Sequence, residues 1–265
     1  MMNEANEISH HTKLYGFIGE EAGQSSLSAS VNRLFKANNK DAMMIPMNIR
    51  DDDFFFTVSN MKKSHVNGAV ISNEFVGKVV EVLDDSSSLV KRSGMCDIVV
   101  RDGEKLIGDI FGMRVLLNFL KDNHASKIAL IGVNPHAKVF SFLSCGFMVS
   151  YFNDDLEELM TFTQDTETTN ADINRIAPGM KLDFSEYDAV LEFSDMSDFS
   201  MVDKLSNLNI DMKHKKQYSA LKTRAVQLED NYTSYDDILN DFAQGAYNFF
   251  DKKGHLKDDK SEMKF

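Results

Sequence analysis

Apolar residues along the chain fall into short runs, separated by polar stretches whose spacing alternates between strand-like and helix-like. Leu14-Tyr-Gly-Phe-Ile-Gly19 predicts a buried strand entering a turn. The polar stretch Glu20 to Ser28 follows, and Ser28 is placed to cap a helix over about 29–38. Asp41 to Ile49 predicts a second strand, with Pro46 marking an edge or a bulge. Asp51-Asp-Asp before Phe54-Phe-Phe-Thr-Val predicts a helix with acids in its first turn. All three phenylalanines are assigned to the core, because one helical turn cannot cheaply present three to solvent. Val66 to Ile71 predicts a third strand, and Phe75 to Leu83 has helical spacing. Two apolar runs around Asp102-Gly103 predict a hairpin over Asp97 to Gly108.

A helix over Met113 to Lys121 leads to the most informative stretch. Lys127-Ile-Ala-Leu-Ile-Gly132 is an apolar run ending in glycine. A helix carrying Val139, Phe140, Phe142 and Leu143 is predicted to stop at Gly146, and a second apolar run reaches Asn153. This is a βαβ pattern, in which a ligand usually lies beyond the first strand at the helix N-terminus. Residues 154–185 are acidic, threonine-rich and weakly patterned. Asp188 to Phe193 and Ile210 to Met212 predict two more strands, with a helical stretch near 200–206 between them. Tyr235 to Phe250 predicts a last amphipathic helix. Residues 1–12 read as a loose lead-in and 251–265 as a charged tail. No solenoid repeat is present. Strands alternating with helices imply an α/β fold with parallel sheets.

Composition narrows the function classes. Hydrophobic residues make up 43% of the chain, enough for real cores, and the formal charge is −12. That charge argues against nucleic-acid partners and anionic membrane surfaces. No apolar run approaches the roughly 20 residues needed to span a bilayer. The polar start of the chain has no apolar signal region, so the expectation is a cytoplasmic protein. Cys96 and Cys145 lie in or beside apolar runs and read as reduced structural thiols. Cys and His are too scattered for a zinc site, so no metal is expected.

In order and spacing, these segments resemble the shikimate/quinate dehydrogenase family from about Leu14 to Phe250. Tyr15-Gly-Phe-Ile-Gly19 followed by Gly23-Gln-Ser25-Ser-Leu27 resembles the family opening, where a glycine turn leads to a Ser-x-Ser substrate clamp. Ser25 takes the first serine position and Leu27 the second, while a one-residue slip would put Ser28 there. Asn67-Gly-Ala-Val-Ile-Ser-Asn73 resembles the Asn-Val-Thr-x-Pro-x-Lys strand, with Asn67 kept and Asn73 at the catalytic lysine. Gly94-Met-Cys-Asp97 resembles Gly-Ala-Val-Asn, with Asp97 at a substrate-binding asparagine. Leu106 to Gly112 resembles the Asn-Thr-Asp-Gly segment, with Asp109 at the asparagine and Phe111 at the catalytic aspartate. Asp211 to Leu221 resembles Asp-x-x-Tyr-x-Pro-x-x-Thr-Pro-Leu, with His214 at the tyrosine. Phe242 stands at the substrate-binding glutamine of the Met-Leu-x-x-Gln-Ala helix.

The resemblance implies two α/β domains with a cleft between them. One is an N-terminal substrate-binding domain (13–108 plus 235–265), the other a Rossmann-like dinucleotide domain (109–234). It also implies a small-molecule ligand in the cleft, and it is compatible with a monomer or a homodimer. The family interconverts 3-dehydroshikimate and shikimate by hydride transfer with a nicotinamide, and a Lys–carboxylate pair manages the alcohol proton. Asn73 cannot titrate and Phe111 cannot hydrogen-bond. Asp109 is the nearby carboxylate that remains. The family's cofactor turn, Gly-x-Gly-Gly-x-Ala, becomes Gly132-Val133-Asn134-Pro135-His136-Ala137. Asn134 crowds the pyrophosphate approach, and Pro135 has no N–H. Asn153-Asp154-Asp155 stands where the family has Asn-Arg-Thr, and Asp154 would repel the 2′-phosphate of NADP. NAD is therefore favoured over NADP, with no dinucleotide at all as the remaining reading.

The expectation is a shikimate-dehydrogenase-like protein with the family reaction impaired or lost and a small-molecule-binding role. One alternative is an NAD-linked dehydrogenase on another hydroxy substrate, with Asp97, Asp109 or His214 in its proton relay. Another is a working shikimate dehydrogenase. If Asp97 is buried it needs a partner, and a cationic ligand group would serve. Phe111 and Phe242 at polar family positions suggest a site filled by hydrophobic side chains.

Overall fold

The computed structural model describes residues 11–168, 171–194 and 196–252. The chain divides into two compact units. Unit 1 runs to Gly112 and resumes at Asn240; unit 2 is Met113–Leu239. The expected boundaries were 108/109 and 234/235.

Unit 1 opens with β1 (Lys13–Gly19), α1 (Leu27–Ala37), β2 (Ala42–Asn48), α2 (Phe54–Asn60) and β3 (Val66–Ile71). It continues through β4 (Asp85–Ser86), α3 (Ser88–Ser93), β5 (Ile98–Asp102) and β6 (Lys105–Asp109). The sheet order is β2-β1-β3-β5-β6-β4. The β1 strand pairs in parallel with β2 and β3, while β3–β5 and β5–β6 are antiparallel. The β2 strand lies at the sheet edge, where Pro46 loses no ladder bond that an inner strand would need. In the hairpin Asp102 faces Lys105, so the two central residues are Gly103 and Glu104. Gly103 has φ +60, as a type II′ turn requires at its first central position.

Unit 2 contains α4 (Gly112–Asp122, whose first residue belongs to unit 1), β7 (Lys127–Ile131), α5 (Pro135–Leu143), β8 (Met148–Asn153) and α6 (Leu156–Asp165). Then come β9 (Asp172–Arg175), β10 (Leu182–Asp183), β11 (Ala189–Glu192), β12 (Val202–Lys204), β13 (Leu208–Asp211) and α7 (Ala220–Leu228). The five-stranded sheet β13-β11-β7-β8-β9 is wholly parallel, and β10 pairs with β12 beside it. Such a sheet is covered on both faces, which explains the near-continuous apolar runs of β7 and β11. Its strand order reverses between β7 and β11, the usual ligand crevice of a doubly wound sheet. The last helix, α8 (Leu239–Asp251), returns the chain to unit 1, where Phe250 stacks on Tyr15 at 4.1 Å.

Several expectations are corrected. The stretch 154–185 holds α6, β9 and β10, and the helix near 200–206 is the strand β12. The α1 helix begins at Leu27, so Ser28 lies inside its first turn and Ser26 is the cap residue, without a side-chain bond. The predicted helix over 75–83 is a pair of short 3-10 turns, Asn73–Phe75 and Lys78–Val82. The α5 helix stops at Leu143, and the left-handed Gly146 (φ +93) comes after it. Only Phe54 of the three phenylalanines is core: Phe55 is 40% and Phe56 75% exposed. Cys96 is buried but Cys145 is exposed. The predicted loose ends fall mostly outside the described residues.

Candidate functional site

In unit 1 Asn67 lies at one end of the sheet, near the start of β3, while most candidate positions gather at the other end. The C-terminal ends of β1 and β3 meet the start of β5 there: Ser72 N–H donates to Ile18 O (2.8 Å), and Ile71 N–H to Asp97 O (2.8 Å). Ser25 Oγ accepts the Leu27 N–H at 3.2 Å. Leu27 is wholly buried in the core, so its side chain cannot serve as a clamp. Ser28 is 4% exposed, and its hydroxyl has no hydrogen-bond partner among the described residues. Asn67 lies at the register shift between Leu14↔Val66 and Tyr15↔Gly68. Asn73 is exposed in the turn after β3. Its neighbour Glu74 accepts the Glu20 N–H (2.8 Å) and the Ser72 hydroxyl (2.6 Å), which ties that turn to the end of β1. Lys78 pairs with Asp51.

Asp97 is 9% exposed and has found its partner within the chain. Its two oxygens accept the N–H groups of Phe111 and Gly112, each at 2.8 Å, at the start of α4. The expected cationic ligand group is therefore not required. Burial pushes the Asp97 carboxyl up to about 7, against the pull of the Phe111 and Gly112 N–H bonds, and Asp109 adds to the rise. Phe111 and Phe242 are buried at 7% and 2%, with their rings edge to face at 6.4 Å. Asp109, half-buried, accepts the Ile110 N–H at 2.8 Å.

A pH dependence follows. An unfolded aspartate titrates near ~3.9, so the native state holds the Asp97 proton more tightly. Its contribution to stability is fully present below that value and is lost as pH rises to about 7. Unfolding free energy should fall over this window by up to about 1.4 kcal/mol per pH unit, and the slope should flatten in Asp97→Asn. Urea midpoints at pH 5, 6, 7 and 8 test this, and parallel slopes for the two proteins would refute it.

In unit 2 the turn after β7 is closed by the chain's own groups. Gly132 has φ +91, and a Cβ there would lie 2.5 Å from Ser194 N. Asn134 caps α5: its Oδ1 accepts the Ala137 N–H at 3.1 Å, and its carbonyl accepts the Lys138 N–H at 3.1 Å. Its amide donates to Phe193 O at 2.7 Å, bridging the loops after β7 and β11. Pro135 at the first helical position has no N–H. Val133 is buried, and the His136 ring lies 6.1 Å from Phe193. Burial pushes the His136 imidazole down to about 4, so it is neutral at pH 7.

At the end of β8 the buried Asn153 donates to Glu158 Oε2 (2.8 Å) and to Asp155 O (3.2 Å). Asp155 caps α6 through the N–H groups of Glu157 (2.8 Å) and Glu158 (3.1 Å). Asp154 is exposed, and its carbonyl accepts Arg175 Nε at 3.4 Å. Depressions of about 430 and 410 Å³ along α6 carry the acids Asp155, Glu157, Glu158 and Asp165 with Lys138 in one, and Asp154, Asp155 and Glu157 with Arg175 in the other.

A second polar group in unit 2 was missed in the sequence. Glu192, 2% exposed, accepts the Ser194 hydroxyl (2.7 Å) and pairs with Lys213 (3.3 Å). Burial raises its carboxyl pKa, partly offset by Ser194 and Lys213. The fully buried Asp211 accepts Ser219 Oγ (2.5 Å), Tyr232 OH (2.8 Å) and the Lys213 N–H (3.1 Å). The available signal was a charged residue closing the apolar run Ala189-Val-Leu-Glu192. His214 shares a hydrogen bond with Asp236 at 3.2 Å and packs on Tyr235 at 4.7 Å. Among the described residues, no group of three or more His, Cys, Asp or Glu is placed to hold a metal. Nor is any helix among them long and apolar enough to cross a membrane.

No family model matches the chain. Over 152 residues it is 27% identical to the shikimate dehydrogenase (NADP(+)) of Dictyoglomus turgidum, a match covering 56% of this chain and 55% of that protein. Among solved structures, shikimate 5-dehydrogenase from Listeria monocytogenes in complex with shikimate and NAD superposes with TM-score 0.71 at 15% identity, covering 93% of this chain and 94% of that one. An Ael1 enzyme from Pseudomonas putida gives TM-score 0.74 at 15% identity, covering 92% and 94%. The chain is a divergent relative of the shikimate dehydrogenases. At these identities the structural likeness is one of fold, and the sequence match spans little more than half the length of the curated relative. The two-unit α/β architecture with a Rossmann-like parallel sheet is that of the shikimate dehydrogenases. The curated relatives are named for NADP(+), and the solved structures hold NADP as well as NAD, so the comparisons do not support the expected preference for NAD.

Proposed function

We propose that this chain keeps the shikimate dehydrogenase fold but does not carry out the family's hydride transfer at family rates, and that it binds a small molecule at the end of the unit 1 sheet where β1, β3 and β5 meet. The observation that carries this reading is the closed turn after β7. A pyrophosphate at a helix N-terminus needs the free N–H groups of the first turn. Here Ala137 gives its N–H to the Asn134 side chain, and Pro135 has none. The Asn134 amide also spans the crevice between the β7 and β11 loops. Asn73 and Phe111 at the family's proton-handling positions point the same way. Loss of such a pair typically costs about 10²–10⁴ in rate.

The second reading is an NAD-linked dehydrogenase on another hydroxy substrate. The acids Asp154, Asp155 and Glu157 outnumber Arg175 in the depression there, so a 2′-phosphate would meet net negative charge, which favours this reading over an NADP enzyme.

Calorimetric titration with oxidised and reduced NAD and NADP tests both. The parent protein should show no saturable binding up to about 1 mM. Asn134→Gly combined with Pro135→Ala should tighten dinucleotide binding at least about tenfold, by reopening the crevice and restoring an N–H. Micromolar binding by the parent would sink the first reading, and a preference for NADP would sink the second.

A further inference from the structure

The parallel sheet of unit 2 ends at β9, and no described strand lies on its far side. Residues of a parallel strand alternate: one turns both backbone groups to a neighbour and the next turns both away. Ile176 N–H donates to Asn153 O at 2.8 Å, so Asp172 and Asn174 also face β8. The N–H and C=O groups of Ile173 and Arg175 therefore point outward. Such an edge is a template for a further strand. The surface beside it is apolar. Ile173 stands in register with Tyr151, on the sheet face that α6 covers, where Tyr151 packs on Phe162 at 5.2 Å. Ile173 is nonetheless exposed, as are Leu156 and Met160 on α6. Leu156 and Met160 are separated by one helical turn, about 5.4 Å, and Ile173 and Arg175 by about 6.6 Å of strand. The α6 helix starts at the end of β8 and runs back along the sheet, so Leu156 stands level with Arg175 and Met160 with Ile173. Leu156 and Arg175 share one depression with Asp154, Asp155 and Glu157. Asp155 is committed to capping α6. Asp154 and Glu157 are exposed and pair with no cation among the described residues. A second copy of this chain would bring the same acids against these, so like charge selects a basic partner instead.

We propose that the outer edge of β9 receives an extended segment of a partner protein as one more strand. The segment carries an apolar side chain over Ile173 and Met160, and a lysine or arginine two residues along that faces Asp154 and Glu157. The spacing follows from the strand, in which every second side chain lies on the same face. Main-chain bonds to residues 173 and 175 supply affinity, and the two same-face side chains supply selectivity. Every group involved lies in unit 2 and apart from the turn after β7 on which the proposed function rests.

Titration of the full chain with the peptide acetyl-Lys-Thr-Val-Thr-Lys-Thr-Val-amide, read by amide NMR shifts, tests this. When extended, the peptide carries its lysines and valines on one face. Saturable shifts are expected at the Ile173 and Arg175 amides and along 156–160, with a dissociation constant below about 1 mM. The same peptide with glutamate in place of lysine should bind at least about tenfold more weakly. The lysine peptide should lose at least about tenfold on Glu157→Lys and on Ile173→Lys. Both positions are exposed, and the amide spectra report directly whether each variant is folded. No saturable shift up to about 2 mM, equal binding of the two peptides, or shifts confined to other elements overturns the proposal. So does self-pairing: β9 signals that broaden with protein concentration alone, and sharpen in Ile173→Lys, would mean that a second copy takes the edge.

Discussion

Gly132→Ala is expected to destabilise unit 2 by about 3–5 kcal/mol. Two effects add. The backbone at 132 has φ +91, which side chains other than glycine rarely adopt. The new methyl would also lie 2.5 Å from Ser194 N and 2.7 Å from its Cα, and both belong to backbone that the β11 pairing holds in place. Neither the turn nor the β11 loop can give way without breaking the ladder at Ile131 and Phe193. Urea unfolding followed by far-ultraviolet circular dichroism reads the effect. Gly77→Ala is the control: φ there is −78, and an added Cβ meets nothing within 4 Å. It should change stability by no more than about 0.5 kcal/mol. Equal midpoints for the two variants would mean that the turn is far more compliant than its contacts imply.

Asp211→Ala should be nearly as damaging, at about 3–4 kcal/mol. Its carboxylate joins three segments at once, through the Ser219 hydroxyl, the Tyr232 phenol and the Lys213 N–H. Ser219 in turn accepts the Lys222 N–H as the cap of α7. Removing the hub leaves the buried Ser219 hydroxyl and the half-buried Tyr232 phenol without their acceptor and loosens the start of that helix. Tyr232→Phe should cost only about 1 kcal/mol, because it removes a donor and leaves the acceptor with two others. A cycle of the two substitutions should show them strongly non-additive. Additive losses would separate Tyr232 energetically from the hub.

The α/β class was legible because most inner strands of the parallel sheets are apolar on both faces and end in recognisable turns. What escaped notice had a physical reason. In β9 Asp172, Ile173 and Arg175 are exposed and only Asn174 is half-buried, so Asp172-Ile-Asn-Arg175 carries no alternation. The β12 strand is three residues long. In α6 the buried Leu159 and Phe162 are diluted by the exposed Leu156 and Met160, although Asp155 before Glu157 and Glu158 was a readable start signal. The candidate site was harder. Asp97 looked like a residue waiting for a cation because side-chain chemistry is visible in a sequence and backbone donors are not. Asn134 was legible as an obstruction. Its bond to the carbonyl of Phe193 joins distant parts of the chain, and no local pattern announces it.

The return of α8 to unit 1 also sets an order of assembly during synthesis. Unit 2 is one continuous segment and can fold as soon as it emerges. Tyr15 and Phe35 stack on each other early, but their cover is completed only when Phe250 and Tyr247 arrive. Until then the strands made ahead of unit 2 present uncovered aromatic surface, so unit 1 is begun before unit 2 but finished after it, and is the more exposed to misassociation. A chain halted just after α7 would carry a complete unit 2 behind an unclosed unit 1.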